Sequence, residues 1–329
     1  MMPPEKILDR LLLVGGPPRS GTTFIARALN AHPRIVTAVD DHVHECWALY
    51  HYPTRRGLVH DLRHGCLERT EAVVRLRDHL FAGGHFAGVA PSAQTEGSPL
   101  AGPPEPPALA APGSRTAVRH ALALERFAAD WYLCLKSPEI SFVLPRLTEL
   151  LPQARFVLVF RPVSEIAESM FRKGLTVRKI PVFQRRWEGE RLDDGRLIPP
   201  PGVPEKWQTL WGEVTAFQRC VIYAASYLQA VIGGCAALSS ERYFIYDHAR
   251  LRARSEPILR GLASFLGVDD SGFRAAAAGI RSEVPALTGE LSEEYERMRN
   301  KLELEALVLE ASALAERALA RFTRKGCRQ

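Results

Sequence analysis

A three-layer α/β fold, a central parallel sheet flanked by helices, is expected of these 329 residues on three grounds. Short apolar runs of β type alternate along the chain with segments of helical periodicity. The runs are continuous rather than alternating, as in strands buried on both faces of a parallel sheet. The first run also ends in a glycine-rich turn that opens directly into a helix, a ready anion site.

Leu11-Leu12-Leu13-Val14 makes the first strand and stops at Gly15-Gly16. Residues 23–31 (TFIARALNA) then read as a helix, halted by His32-Pro33. Ile35–Val39, Tyr132–Lys136, Phe156–Phe160 and Tyr243–Tyr246 supply four more strands. Helices are expected over Ser141–Leu151, Ser164–Lys173, Val214–Ile232 and Glu256–Leu266, which makes the fold doubly wound. Val221–Leu238 is the most apolar stretch, but Ser226, Gln229 and Gly233-Gly234 interrupt it. It reads as a buried core helix and not a membrane span. Glu293–Phe322 repeats Leu and Ala at helical spacing amid Glu and Arg, as one terminal amphipathic helix packing on the core. Two segments break the pattern: a Pro-rich excursion at about 83–117, and a basic and aromatic insertion with a Pro-rich end at about 174–207. The whole of 1–329 is expected to be a single domain carrying these two insertions.

Composition removes several classes. Hydrophobic residues at 46% and charged residues at 24% exclude a chain disordered throughout, and the glycines follow no collagen period. A net charge of +6 is compatible with an anionic ligand and too weak to argue for nucleic acid. The cysteines at 46, 66, 134, 220, 235 and 327 form no CxxC pair, so neither a disulfide framework nor a zinc ribbon is expected. Reduced thiols, and a first segment without the pattern of a signal peptide, predict a cytoplasmic protein.

Gly16-Pro17-Pro18-Arg19-Ser20-Gly21-Thr22-Thr23 lies between the first strand and the first helix. Backbone N–H groups in such a turn form an anion nest, to which Thr22 and Thr23 add hydroxyls and Arg19 a two-pronged cation. The spacing approaches the triphosphate loop GxxxxGK[ST] but puts Thr22 where the lysine belongs. The strand Phe156–Phe160 ends in Arg161 where a magnesium-binding aspartate would be needed. A phosphate or sulfate group handled without metal fits both departures. A strand–helix turn with no ligand is the plain structural alternative.

LLLVGGPPRSGTTFIARALNAHP resembles the 5′-phosphosulfate loop of sulfotransferases that use 3′-phosphoadenosine 5′-phosphosulfate (PAPS), in the PRSGTT form of Golgi, tyrosylprotein and many bacterial members. FVLVFRPVSEIAES, residues 156–169, is similar to the same family's 3′-phosphate signature: a strand, an arginine, and a serine eight residues on. Weaker likenesses follow at LCLKSP (133–138), where the family has a strand ending in Lys-x-Pro, and at 242–266, with Asp247 and His248 in place of the usual Glu and Asp. The resemblance covers about a third of the chain. It implies a P-loop-containing fold, PAPS as co-substrate with adenosine 3′,5′-bisphosphate as product, and no required metal. It also implies that Arg19, Ser20, Gly21, Thr22 and Thr23 cradle the phosphosulfate while Arg161 and Ser169 bind the 3′-phosphate, with Arg172 and Lys173 as supplements. Tyr246 becomes a candidate nucleotide contact, against plain core packing.

Sulfuryl transfer is an in-line displacement in which the protein positions groups and neutralises charge. Arg19 and the strand-end Lys136 are assigned to the transferring group; for Lys136 the competing reading is a surface salt bridge. The general base is sought in Asp40-Asp41-His42-Val43-His44-Glu45, beyond the second strand. Asp40 falls where tyrosylprotein-type relatives have a carboxylate base, and His42 is its rival because imidazole titrates near neutrality. His44 and Glu45 stand behind them. His42, His44, His60 and His64 as metal ligands lack a further ligand at fixed spacing. Trp187, Trp207 and Trp211 line either an acceptor pocket or the core. The expected activity is sulfuryl transfer to a hydroxyl or amine of a small-molecule acceptor. A P-loop kinase or NTPase, disfavoured by Thr22 and Arg161, and a non-catalytic nucleotide-binding protein are the alternatives. Oligomeric state is not legible.

Overall fold

The computed structural model describes residues 9–37, 130–176, 190–191, 197–200, 202–253, 255–270, 273, 287 and 289–326. Five parallel strands make the central sheet: β1 (Leu11–Gly15), β2 (Ile35–Thr37), β3 (Tyr132–Lys136), β4 (Arg155–Phe160) and, last in the chain, β7 (Tyr243–Asp247). Their order is β2-β3-β1-β4-β7. β5 (Glu190–Arg191) and β6 (Leu197–Ile198) form a separate antiparallel pair within the second insertion. With β3 on one side of β1 and β4 on the other, the connections diverge at the centre. A crevice therefore opens beyond the carboxyl ends of these strands, where α/β sheets hold ligands.

Side chains from each strand alternate between two cores. Leu11, Leu13, Leu133, Leu135, Phe156, Leu158 and Phe160 face one way. They meet α3 (Val163–Thr176) and α5 (Ala216–Ala237) through Ile166, Met170, Val221 and Leu228. Leu12, Val14, Cys134, Val157, Val159, Phe244 and Tyr246 face the other way, against Ile25 and Leu29 of α1 (Thr22–Asn30) and Leu262 and Phe265 of α7 (Ser255–Leu266). Both faces are covered, which is why the runs are apolar throughout and why three layers result.

The helices follow local rules. α1 ends before Pro33, and β2 begins with Ile35 N–H donating to the His32 carbonyl (3.1 Å). After β3, Pro138 opens a 3₁₀ segment, Pro138–Val143, which passes into α2 (Leu144–Leu150). The single helix expected over 141–151 is thus a tighter turn followed by a short α-helix. A turn at Glu205–Gln208 (α4) precedes α5, whose start is sealed by a capping box between Thr215 and Gln218. α5 is long and apolar enough to cross a membrane, yet Val221, Ile222, Tyr223, Ala224 and Tyr227 pack inside the first core. α6 (His248–Ala253) follows β7 directly.

The terminal helix expected over 293–322 is in fact two, α8 (Glu290–Lys301) and α9 (Leu304–Gly326). Leu302 and Leu304 are both buried. Residues two apart point to nearly opposite sides of one helix, so burying both requires the break, and Glu303 takes φ 54° to make it.

Burial pushes the Cys235 thiol up to about 12, and Cys134 and Cys220 are buried as well. At pH 8 roughly one Cys235 thiol in ten thousand is then thiolate. Iodoacetamide at pH 8 should leave all three unlabelled in the folded protein and label them in urea, as read by peptide mass mapping. Rapid labelling of Cys235 without denaturant would contradict the packing of α5.

Candidate active site

The loop between β1 and α1 is shaped by contacts that leave no room for side chains. Gly16 has φ 132°, and a Cβ there would lie 2.0 Å from the Val159 carbonyl oxygen. Its N–H donates to Ser141 Oγ (2.8 Å), which ties the loop to the 3₁₀ segment after β3. Arg19 (φ 70°) and Gly21 (φ 105°) flank Ser20, an alternation of backbone hand that gathers N–H groups into a nest. Gly21 is the N-cap of α1, and among the described residues no side chain caps that helix start. The first-turn N–H groups and the helix dipole are thus presented to the crevice.

Arg19 pays about 1–2 kcal/mol for its left-handed backbone. Its Nε donates to Ser169 Oγ at 3.0 Å, a contact that spans 150 positions. Arg161, leaving β4, donates through Nη1 to the Arg19 carbonyl (3.4 Å) and through Nε to Glu165 in the first turn of α3. Desolvation, and secondarily the Arg161 charge, lowers the Arg19 guanidinium below its ordinary range. Two guanidinium groups drawn together at a helix N-terminus are suited to a multiply charged anion.

The structure therefore brings Arg19, Ser20, Gly21, Thr22, Thr23, Arg161 and Ser169 to one edge of the sheet. Ser20 and Thr22 are buried, while Thr23 and Ser169 are half-buried. Lys136 is the last residue of β3, opposite Val14 of β1, and is 2% exposed. A surface salt bridge is thereby excluded for it. Arg172 is engaged by Glu168 (2.5 Å) on its own helix. Tyr246 lies in the second core, 2% exposed, where burial and then the neighbouring Asp247 hold its phenol well above the usual range. Trp207 and Trp211 are core residues. Asp40, His42, His44, Glu45, His60, His64, Trp187 and the segment 83–117 lie outside the described residues, as does the Lys173 side chain. Among the described residues no cluster of three or more His, Cys, Asp or Glu side chains can hold a metal.

Three contributors escape the sequence reading. Ser141 anchors Gly16, and Glu165 holds Arg161. His248 presses its ring on the loop, where a Cβ on Gly21 would come within 2.5 Å of Nδ1. Ser141 acts across 125 positions and His248 by shape, which residue type does not signal, while Glu165 sits at the i,i+4 spacing from Arg161 that a helix start could have flagged.

The profile described as "Sulfotransferase family" matches residues 12–192, just over half the chain. No curated protein matches the sequence. Among solved structures, a sulfotransferase from Alicyclobacillus acidocaldarius is similar at 13% identity and TM-score 0.46, over 93% of this chain and 95% of that one. One from Mycobacterium avium is similar at 14% identity and TM-score 0.45, over 90% and 76%. One from Mycobacterium tuberculosis is similar at 19% identity and TM-score 0.42, over 90% and 79%.

Gly16→Ala should lower unfolding stability by about 3 kcal/mol or more, from positive-φ strain added to the collision with Val159. Gly212→Ala, where a Cβ meets nothing within 4 Å, should stay within about 0.5 kcal/mol. Urea unfolding compares the two, and equal effects would refute the close approach at Gly16.

Proposed function

The chain belongs to the sulfotransferase family, and we propose that it moves a sulfuryl group from PAPS to a hydroxyl or amine of a small-molecule acceptor. The acceptor oxygen or nitrogen attacks sulfur, the bond from sulfur to the 5′-phosphate oxygen breaks, and that oxygen keeps the electron pair. Adenosine 3′,5′-bisphosphate leaves, and a base takes the acceptor's proton. The loop N–H groups of Ser20–Thr23 cradle the 5′-phosphosulfate. Arg161 and Ser169 receive the 3′-phosphate, while Arg19 and Lys136 balance the charge that builds on the departing oxygens. Tyr246, whose hydroxyl makes no hydrogen bond among the described residues, is kept as the remaining nucleotide contact. No step in this scheme calls for a metal.

One observation carries the reading: the hydrogen bond from Arg19 to Ser169 joins the two anion-binding sequences into one site. A ligand that bears phosphate at both ends of its ribose suits two linked anion sites better than a singly phosphorylated adenylate does.

Isothermal titration without magnesium tests it. Adenosine 3′,5′-bisphosphate should bind at micromolar Kd or tighter and adenosine 5′-monophosphate far more weakly. Arg161→Ala should cost the bisphosphate tenfold or more, about 1.4 kcal/mol. Equal binding of both ligands would reject the PAPS site.

Asp40 is proposed as the base in preference to His42. Asp40→Asn should then lower kcat by about a hundredfold or more with the bisphosphate Kd unchanged, whereas His42→Ala leaves most of kcat. The reverse result moves the base to His42.

A further inference from the structure

Gly16 is the residue at which the phosphate loop leaves the sheet, and it is held from both neighbours of β1. The ladder of β1 with β3 ends at Val14 opposite Lys136, and that with β4 ends at Gly15 opposite Leu158. The buried Gly16 N–H therefore lies beyond both ladders and needs an acceptor from elsewhere. Ser141 Oγ takes it at 2.8 Å. The same oxygen lies 3.3 Å from where a Cβ on Gly15 would stand, so it fills the space beside both glycines. On the β4 side the Val159 carbonyl closes on Gly16, where a Cβ would come within 2.0 Å of its oxygen.

Ser141 belongs to the 3₁₀ segment Pro138–Val143, a geometry whose own hydrogen bonds are poor. Ties to its surroundings fix the segment instead. Ser137 N–H donates to the Val14 carbonyl at 3.0 Å, which carries the β1–β3 pairing one residue past the strand. Glu139, 1% exposed, accepts from Ser137 Oγ at 2.7 Å and from the Tyr227 hydroxyl of α5 at 3.4 Å. The Tyr223 hydroxyl, one turn away on α5, lies 3.3 Å from that of Tyr227. The Tyr227 ring packs on Phe142 with centroids 4.2 Å apart. One tyrosine of the helix layer thus grips the segment on either side of Ser141, by its hydroxyl at Glu139 and by its ring at Phe142.

We propose that Ser141 is a positioning residue of the anion site, holding Gly16, and with it the start of the phosphate loop, at a place that Tyr227 and Glu139 fix from the helix layer. The hold on Gly16 stands on hydrogen bonds and packing alone; its consequence for the nucleotide rests on the function proposed above. In that scheme the loop N–H groups take the 5′ end of the nucleotide, and Arg161 with Ser169 takes the 3′ end. Loosening Gly16 therefore weakens the grip on the 5′-phosphate and spares the grip on the 3′-phosphate. α5 gains a task beyond filling the core, because its tyrosine steadies the segment on which the loop leans.

Hydrogen exchange read by mass spectrometry on the full chain tests the hold without nucleotide. Pro17 and Pro18 have no amide hydrogen, so a peptide spanning Val14–Ser20 reports on few positions, Gly16 among them. Ser141→Ala should speed exchange of the Gly16 amide about tenfold or more and leave the β4 peptide Arg155–Phe160 unchanged. Unchanged exchange around Gly16 overturns the proposal.

Affinity gives the second readout. In Ser141→Ala the Kd of adenosine 3′,5′-bisphosphate should rise about tenfold or more, while that of adenosine 3′-monophosphate stays within about twofold. Tyr227→Phe keeps the ring on Phe142 and removes the hydroxyl from Glu139. It should weaken the bisphosphate selectively by a smaller factor, and add nothing in the Ser141→Ala background. Both ligands weakened alike is the mark of a merely structural role and would reject the positioning. If Ser141→Ala does not fold, Tyr227→Phe decides: a selective loss supports the proposal, and an equal loss or none rejects it. If the wild-type chain binds neither ligand, the reading of the function fails, while the exchange experiment still decides the hold on Gly16.

Discussion

The close approach of Gly16 to the Val159 carbonyl sets the geometry on which the rest of the site depends. β1 and β4 are hydrogen-bonded neighbours, and the chain leaving β1 must turn over the edge of β4 with no side chain between them. Only a glycine at positive φ makes that turn at such range. From there the backbone rises through Arg19 and Gly21 into the uncapped start of α1. Because α1 is seated by Ile25 and Leu29 on the second core, neither end of the loop can drift. The nest is therefore held from below by the sheet and from behind by the helix.

Charge is distributed over this frame in a consistent way. Three cations, Arg19, Lys136 and Arg161, stand at the ends or just beyond the ends of the three central strands. Two of them are restrained by a polar side chain from an adjoining element: Ser169 for Arg19 and Glu165 for Arg161. Restraint of this kind matters for displacement chemistry, since donors already aimed at the developing charge need no reorganisation when the bond breaks. The strain held at Arg19 fits the same logic, as an unfavourable backbone is kept where a fixed guanidinium is wanted.

The two cores have separate duties. The one containing α3 and α5 supports Ser169 and the start of the helix that follows Arg161 from one face. The other fixes the phosphate helix and receives His248 against Gly21 from the opposite face. Substitutions deep in either core can thus reach the site by tilting a helix without touching a ligand.

Period and punctuation by themselves determined the five strands of the central sheet and the helix after the glycine turn. Apolar runs such as LLLVG and RFVLVF, short and bounded by turn residues, fit doubly buried strands. Local patterns of this sort are written in adjacent residues, so they are legible one segment at a time. The partnership of Arg19 with Ser169, the hold of Ser141 on Gly16 and the break at Glu303 were decided by the tertiary structure alone. Each joins residues that the chain order separates, or meets a packing demand such as the burial of both Leu302 and Leu304. Strand order and layer contacts set these partnerships, and no local spacing encodes them.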